Sequence, residues 1–233
     1  MTTPRFDIIG QALSDASRTR MLCELMEGRS FTNKELASAA GITAQTATAH
    51  LRMLQNAGLV RAEKRGRCVF HRLENAEIAG VLEQLAALAP SSHLHLAQRR
   101  KAGDIALLRS CYDHLAGPLA VAMTGQFLAR GMLVEDNGGF RACPHGIWHR
   151  LGVSLPQNTA ASERGKPFVR PCMDWTERKL HVSGPLGNQM LAHFFDQGWV
   201  RRDTHKRGLQ ITGLGLRAMD DILGLSCERS INA

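Results

Sequence analysis

The chain has 233 residues, 44% of them hydrophobic, which is enough for two cored domains and excludes disorder over its whole length. Its formal net charge of +8 suits an anionic partner, and no apolar run approaches the roughly 18 residues of a membrane span. The opening MTTPRFD lacks the basic-then-apolar pattern of a secretory signal, so the expected location is cytoplasmic. In that compartment the six cysteines stay mostly reduced; none forms a CxxC pair, which excludes a zinc ribbon or finger.

Residues 7–28 read as helix. Ile8, Ile9, Ala12 and Leu13 give an apolar face, Ser14 to Ser17 breaks it, and Met21, Leu22 and Leu25 resume it. Ser30-Phe31-Thr32 is a strand-like link. Lys34 to Ala40 is a short helix ended by Gly41, and Thr43 is a good N-cap for a second helix running to about Ala57. On that second helix Ala47, Leu51 and Leu54 make one buried stripe, while Gln45, Thr48, Ala49 and Arg52 face outward with no acid among them. A short, acid-free outer face is what a duplex major groove admits. Helix-turn-helix geometry also occurs without DNA, so the following segment matters. Leu59 to Leu73 reads as two strands around Lys64-Arg65-Gly66-Arg67, a hairpin whose basic tip can reach phosphates. Candidate DNA contacts are Thr43, Gln45, Thr46, Thr48, His50, Arg52, Lys64, Arg65 and Arg67; His50 reads equally as a packed or capping residue. Ala76 to Leu88 is then an amphipathic helix with Ile78, Val81, Leu82, Leu85, Ala86 and Leu88 on one side.

The run LSDASRTRML, the stretch ELASAAGITAQTATAHLRMLQNAGLV and the basic wing together resemble the ArsR/SmtB family of winged-helix repressors, over residues from about 8 to 88. Asp15, Arg18, Arg20, HLRML and AGLV sit where that family has them. The resemblance implies a homodimer built through the first helix and the helix after the wing. It also implies binding of double-stranded DNA at an imperfect palindrome, and release by an inducer. Two family metal sites are absent: there is no cysteine pair in Glu35 to Ala39, and the helix after the wing offers Glu77 and Glu83 but no histidine.

Ala89-Pro90-Ser91-Ser92 breaks the pattern, which places a domain boundary near residue 90. His93 to Ala106 reads as a further helix whose Gln98-Arg99-Arg100-Lys101 run reads as a solvated face in preference to a second DNA site. The remaining chain, 91–233, repeats itself. Cys111-Tyr112-Asp113 and Gly117-Pro118-Leu119 are echoed by Cys172-Met173-Asp174 and Gly184-Pro185-Leu186, with six extra residues in the second copy. Met123/Met190 and Phe127/Phe194 match in register. Two copies, about 107–153 and 170–225, are expected as winged-helix-like helix–hairpin–helix units, joined by a long linker from Leu155 to Pro171. The fold class is therefore mainly α with small β-hairpins (α+β), a winged helix-turn-helix followed by a pair of winged-helix-like repeats.

Cys111, Asp113, His114, Cys172 and Asp174 form the candidate sensor set, with His114 on the face of Cys111 if that segment is helical. Thiolate, imidazole and carboxylate suit a soft divalent ion; thiolates alone suit a trivalent metalloid or an oxidant. The structural alternative has both cysteines buried at helix starts, with the aspartates capping or pairing with Arg109 and Arg170. Cys143, His145 and His149 are further candidate ligands, and Cys23 and Cys68 read as core or strand residues. No Gly-rich phosphate loop, Gly-x-Ser-x-Gly elbow or His-Glu-x-x-His motif points to an enzyme. The reading is a transcriptional regulator, a homodimeric repressor released by an inducer. The competing reading is a metabolite-sensing regulator with an apolar cleft lined by Met123, Met190, Phe127, Phe194 and Trp175, its cysteines purely structural.

Overall fold

Asp15 begins the second helix by accepting the backbone N–H groups of Ser17 and Arg18, both at 2.9 Å, which splits the helical run at its serines. The computed structural model describes residues 3–89, 107–157, 167–202 and 208–226. The 98–101 charge run, the middle of the 155–171 linker and Cys227 lie outside them. The described chain divides into two compact units, Met1–Leu82 and Glu83–Ala233. The division falls inside a helix, eight residues before the break expected at 90, because Glu83 is buried among residues of the second unit.

In the first unit α1 (Phe6–Leu13) and α2 (Ala16–Leu25) lead through β1 (Phe31–Thr32) into α3 (Asn33–Ala40) and α4 (Ala44–Asn56). Then come β2 (Val60–Arg65), β3 (Cys68–Leu73) and α5 (Ala76–Leu88), whose residues from Glu83 onward belong to the second unit. The sheet order is β1-β3-β2, with Val60 opposite Leu73 and Arg65 opposite Cys68. Thr32 and Glu35 form a reciprocal capping box at the start of α3. Ala47, Leu51 and Leu54 are the buried residues of α4, as its periodicity requires. Met21, Leu25, Leu36 and Leu73 of the same unit are completely buried as well, each large side chain contributing about 1.5–3 kcal/mol. Arg18 spans the layers: Nε donates to Ala12 O and Nη2 to Gln11 O, both at 2.8 Å, so it caps the open end of α1. Arg20 does the same for α3, donating to Ala40 O at 3.1 Å. Cys23 is exposed on α2 rather than core. On α5 the inward residues are Ala79, Leu82 and Glu83, while Val81, Leu85 and Leu88 are exposed, so half of the expected apolar stripe is left uncovered among the described residues.

The second unit repeats one pattern twice. The first copy is β4 (Arg109–Cys111), β5 (His114–Ala116), α6 (Pro118–Ala129), β6 (Leu133–Asp136), β7 (Gly139–Ala142) and a 3₁₀ turn, Trp148–Leu151. The second is β8 (Arg170–Met173), β9 (Leu180–Ser183), α7 (Gly184–Asp196), β10 (Val200–Arg202), β11 (Leu209–Ile211) and α8 (Gly213–Leu223). Each copy thus opens on a hairpin that the sequence reading had at a helix start. Pro118 and Pro185 explain it: proline suits the first helical turn, and it drives the residue before it out of the α region. The residues in question are Gly117 and Gly184, with φ of 95° and 78°, a conformation only glycine adopts without strain. The copies exchange partners, α6 packing on β9 and α7 on β5. Equivalent backbone bonds repeat too: Leu119 N–H donates to Leu107 O at 3.1 Å and Leu186 N–H to Phe168 O at 3.0 Å. The linker is shorter than expected at its far end, since Phe168 and Val169 are buried in the core and Pro171 lies in β8. Met123, Phe127, Met190 and Phe194 are core residues, and the void beside them is roughly the size of one water molecule. Arg109 covers the Trp175 ring at 5.3 Å. Among the described residues, Met123, Phe127, Met190 and Phe194 therefore serve as core rather than as walls of an open cleft.

Candidate nucleic-acid interface and metal centre

Thr43 caps α4, accepting from Thr46 N–H at 3.2 Å. From that fixed start the helix exposes Gln45, Thr46, Ala49 and Arg52, and its outer face carries no acid. Two expected contacts turn inward instead. The Thr48 hydroxyl donates to Ala44 O at 2.9 Å and accepts from Asn33 Nδ2 at 2.6 Å, so its one O–H is used within the fold. His50 is half-buried: Arg18 Nη1 donates to its Nδ1 at 3.2 Å, and its Nε2 lies 3.6 Å from Asp15 Oδ1. It ties the recognition helix to α2, the packed reading of the two. Across the wing Lys64, Arg65 and Arg67 are all exposed. Arg65 pairs with Glu63 at 2.9 Å and lies over the Phe70 ring, which holds the tip in place at the surface.

In the second unit the two first hairpins meet. Cys111 is directly opposite His114 across β4 and β5, and Cys172 is directly opposite His181 across β8 and β9. One ligand atom from each of these four residues lies within 4.8 Å of all the others, and all four residues are buried. His114 Nε2 and His181 Nε2 are 3.0 Å apart. His181 was missed in the sequence because the insertion places it nine residues after its cysteine instead of three. Counted back from Gly-Pro the signal is plain: HLAGP and HVSGP put both histidines three before the glycine.

Asp113 and Asp174, expected as ligands, lie behind the imidazoles. Asp113 Oδ1 is 3.2 Å from His114 Nδ1, and Asn188 Nδ2 donates to its other oxygen at 3.2 Å. Asp174 Oδ2 is 3.9 Å from His181 Nδ1, which has no hydrogen-bond partner. Asp174 is completely buried and accepts from Arg109 Nη2 at 2.8 Å and Gly117 N–H at 2.7 Å, both from the other copy. Burial would raise its pKa, but the Arg109 guanidinium and the Thr176 and Glu177 donors hold it well below the usual carboxylate range. The pairing with Arg109 was anticipated; Arg170 plays no such part. Cys143, His145 and His149 do not join the cluster.

The charges of the cluster are arranged for metal or proton chemistry. The Cys111 thiol donates to Cys172, which holds Cys172 well below the ordinary thiol range despite its burial and leaves Cys111 raised. Burial works to lower His114, yet Asp113 and the Cys172 sulfur together raise it to about 9. Burial lowers His181. Glu83, on α5, is buried beside Cys111 and pushed up to about 7 by that burial.

A family model described as winged helix-turn-helix DNA-binding matches residues 14–61. The chain is 35% identical over 225 residues to YdfF of Bacillus subtilis, described as an uncharacterized HTH-type transcriptional regulator, covering 95% of this chain and 98% of that one. Two Mycobacterium tuberculosis HTH-type transcriptional regulators are also similar. NmtR is 35% identical over 86 residues, covering 37% of this chain and 69% of its own. CmtR is 31% identical over 99 residues, covering 41% and 83%. Among the described residues no helix is long and apolar enough to cross a membrane. With the recognition helix and wing in place and a relative matching both units, the chain belongs to the ArsR/SmtB family of winged-helix, DNA-binding transcriptional regulators.

Proposed function

We propose that the protein acts as a homodimeric repressor, that each protomer reads one half-site of an imperfect palindrome, and that an inducer held at the Cys111/Cys172 cluster releases it. The observation that carries the DNA side is the exposed, acid-free face of α4, Gln45, Thr46, Ala49 and Arg52, beside a wing tip bearing Lys64, Arg65 and Arg67. Gln45 is the side chain best suited to a bidentate contact with adenine, and the wing cations suit phosphates. Support for the dimer comes from apolar side chains uncovered on α1 and α5: Phe6, Ile8, Val81, Leu85 and Leu88. A second copy of the chain covers them, and two-fold symmetry then spaces the recognition helices about one DNA turn apart. The inducer reading rests on the buried cluster, whose donors are soft and borderline.

The test is selection of bound sequences from random duplexes by the full chain, followed by sedimentation of the protein alone and on the selected site. The expected outcome is a palindrome bound by two chains. Selection of no sequence, or tight binding by one chain to a single half-site, contradicts the proposal.

A further inference from the structure

We propose that Cys111, His114, Cys172 and His181 are the four ligands of a closed, tetrahedral Cys2His2 centre for a divalent ion of the zinc class, and that this ion joins the two copies of the second unit. This deepens the inducer part of the function proposed above. It names the ligand chemistry of that site and the atoms that hold it.

Geometry comes first. Zinc bonds to imidazole nitrogen at about 2.0–2.1 Å and to thiolate at about 2.3 Å, so tetrahedral ligand atoms stand roughly 3.3–3.8 Å apart. The two Nε2 atoms are 3.0 Å apart, and all four donor atoms fit within 4.8 Å of one another. Seating the ion opens the Nε2 pair by about 0.3 Å and draws the farthest donors together by up to about 1 Å, roughly 0.5 Å at each side chain. The ligands come as a two-fold set, one cysteine and its cross-strand histidine from each hairpin. Burial of all four residues leaves no open coordination position of the sort catalytic zinc keeps for water.

The second shell is built as well. Metal-bound histidines nearly always turn their other ring N–H to a carboxylate or carbonyl, which fixes the tautomer. Asp113 faces Nδ1 of His114 at 3.2 Å, and Asp174 faces Nδ1 of His181 at 3.9 Å. Asp113 thus supplies an acceptor to His114 Nδ1, Asp174 stands 3.9 Å from His181 Nδ1, and the two Nε2 atoms face each other at 3.0 Å, where an ion would take both lone pairs. The repeated Cys-x-Asp is thus explained: its cysteine ligates, and its aspartate aims the histidine of the facing strand. Asp113 is held by Asn188 and Asp174 by Arg109, in each case from the other copy, so both orienting groups are themselves oriented across the pseudo-symmetric pair.

The donor set also selects the ion. Two thiolates balance a divalent charge, and the two imidazoles add none. A trivalent metalloid prefers thiolates alone, and only two are present here. Hard ions such as magnesium and calcium prefer oxygen donors.

The experiment uses the full chain, reduced and stripped by chelator, titrated with Co²⁺ and then Zn²⁺. The expected result is one Co²⁺ per chain, with intense tetrahedral ligand-field bands and sulfur-to-metal charge transfer, displaced by one Zn²⁺. X-ray absorption on the zinc form returns two sulfur and two nitrogen ligands. Cys111→Ser, Cys172→Ser and His181→Gln each remove or alter those bands. Because these variants can fail to fold, Asp113→Ala supplies an independent check, its carboxylate being partly exposed. It is expected to keep the tetrahedral spectrum while weakening zinc about 10- to 100-fold. A weak octahedral cobalt spectrum, a zinc shell without sulfur, or a Cys111–Cys172 disulfide formed in place of metal binding overturns the proposal. Tight tetrahedral binding that leaves DNA affinity unchanged upholds the centre and removes only the inducer role.

Discussion

Asp174 is a completely buried carboxylate that accepts five hydrogen bonds within the second unit. One of its oxygens accepts from Arg109 at 2.8 Å and Gly117 N–H at 2.7 Å; the other accepts Thr176 N–H, the Thr176 hydroxyl and Glu177 N–H at 2.7–3.0 Å. Asp174→Ala strands the Arg109 guanidinium, only 12% exposed, and leaves the buried Gly117 and Thr176 N–H groups without their acceptor. Removing one member of a buried ion pair costs about 3–5 kcal/mol. Since the donors belong to both copies, the loss falls on their association. Trp148, Trp175 and Trp199 are the only tryptophans and all lie in the second unit, so urea unfolding followed by their fluorescence isolates its stability. Run on chelator-treated protein, the midpoint falls by the equivalent of about 3–5 kcal/mol with the denaturant slope unchanged. Arg109→Ala on top of Asp174→Ala costs much less than it does alone, because the pair is already broken. A loss below about 1 kcal/mol for Asp174→Ala refutes the buried-pair reasoning, since that is the value of an exposed pair.

Replacing Arg65 and Arg67 with alanine weakens binding to all duplexes and lowers the slope of log affinity against log salt by about 0.9 per lost phosphate contact; an unchanged slope removes the wing from the interface. Gln45→Ala costs about 1–3 kcal/mol on the selected site and little on random DNA, measured by fluorescence anisotropy, and equal losses on both reassign it to the backbone. Gly187→Ala sets a Cβ 2.9 Å from His114 Cβ and 3.0 Å from Val182 O, so it destabilises the second unit by about 1–3 kcal/mol; a neutral effect on unfolding means α7 moves freely there.

The parts of this protein legible in its sequence are those fixed by local chemistry. Thr43 before Ala47, Leu51 and Leu54 declares a capped amphipathic helix, and the structure keeps both the cap and the stripe. Asp15, Arg18 and Arg20 were visible as a motif, but their work of capping three different helices required the fold to bring Gln11, Ala12 and Ala40 to them. Repetition exposed Cys111 and Cys172 without showing their surroundings. His181 escaped because register across a hairpin depends on the turn, and the second turn carries the insertion. Asp113 and Asp174 were recognised as part of the set, but spacing along a chain does not show that they lie beside the Nδ1 atoms of His114 and His181, nor which of the two arginines pairs with Asp174. The face of α5 was legible as apolar only; that Leu82 turns inward with Ala79 and Glu83 while Val81, Leu85 and Leu88 are exposed depends on how the helix is rolled.

The most direct measurement is the affinity of the full-length protein for its selected palindrome, zinc-loaded and chelator-stripped, in wild type and in Cys111→Ser/Cys172→Ser at one salt concentration. The account predicts that zinc weakens wild-type binding at least about 5-fold, the lower range of allosteric coupling, and that the double variant binds like stripped wild type with or without zinc. Equal affinity of the loaded and stripped wild-type protein contradicts the claim that this centre governs DNA binding.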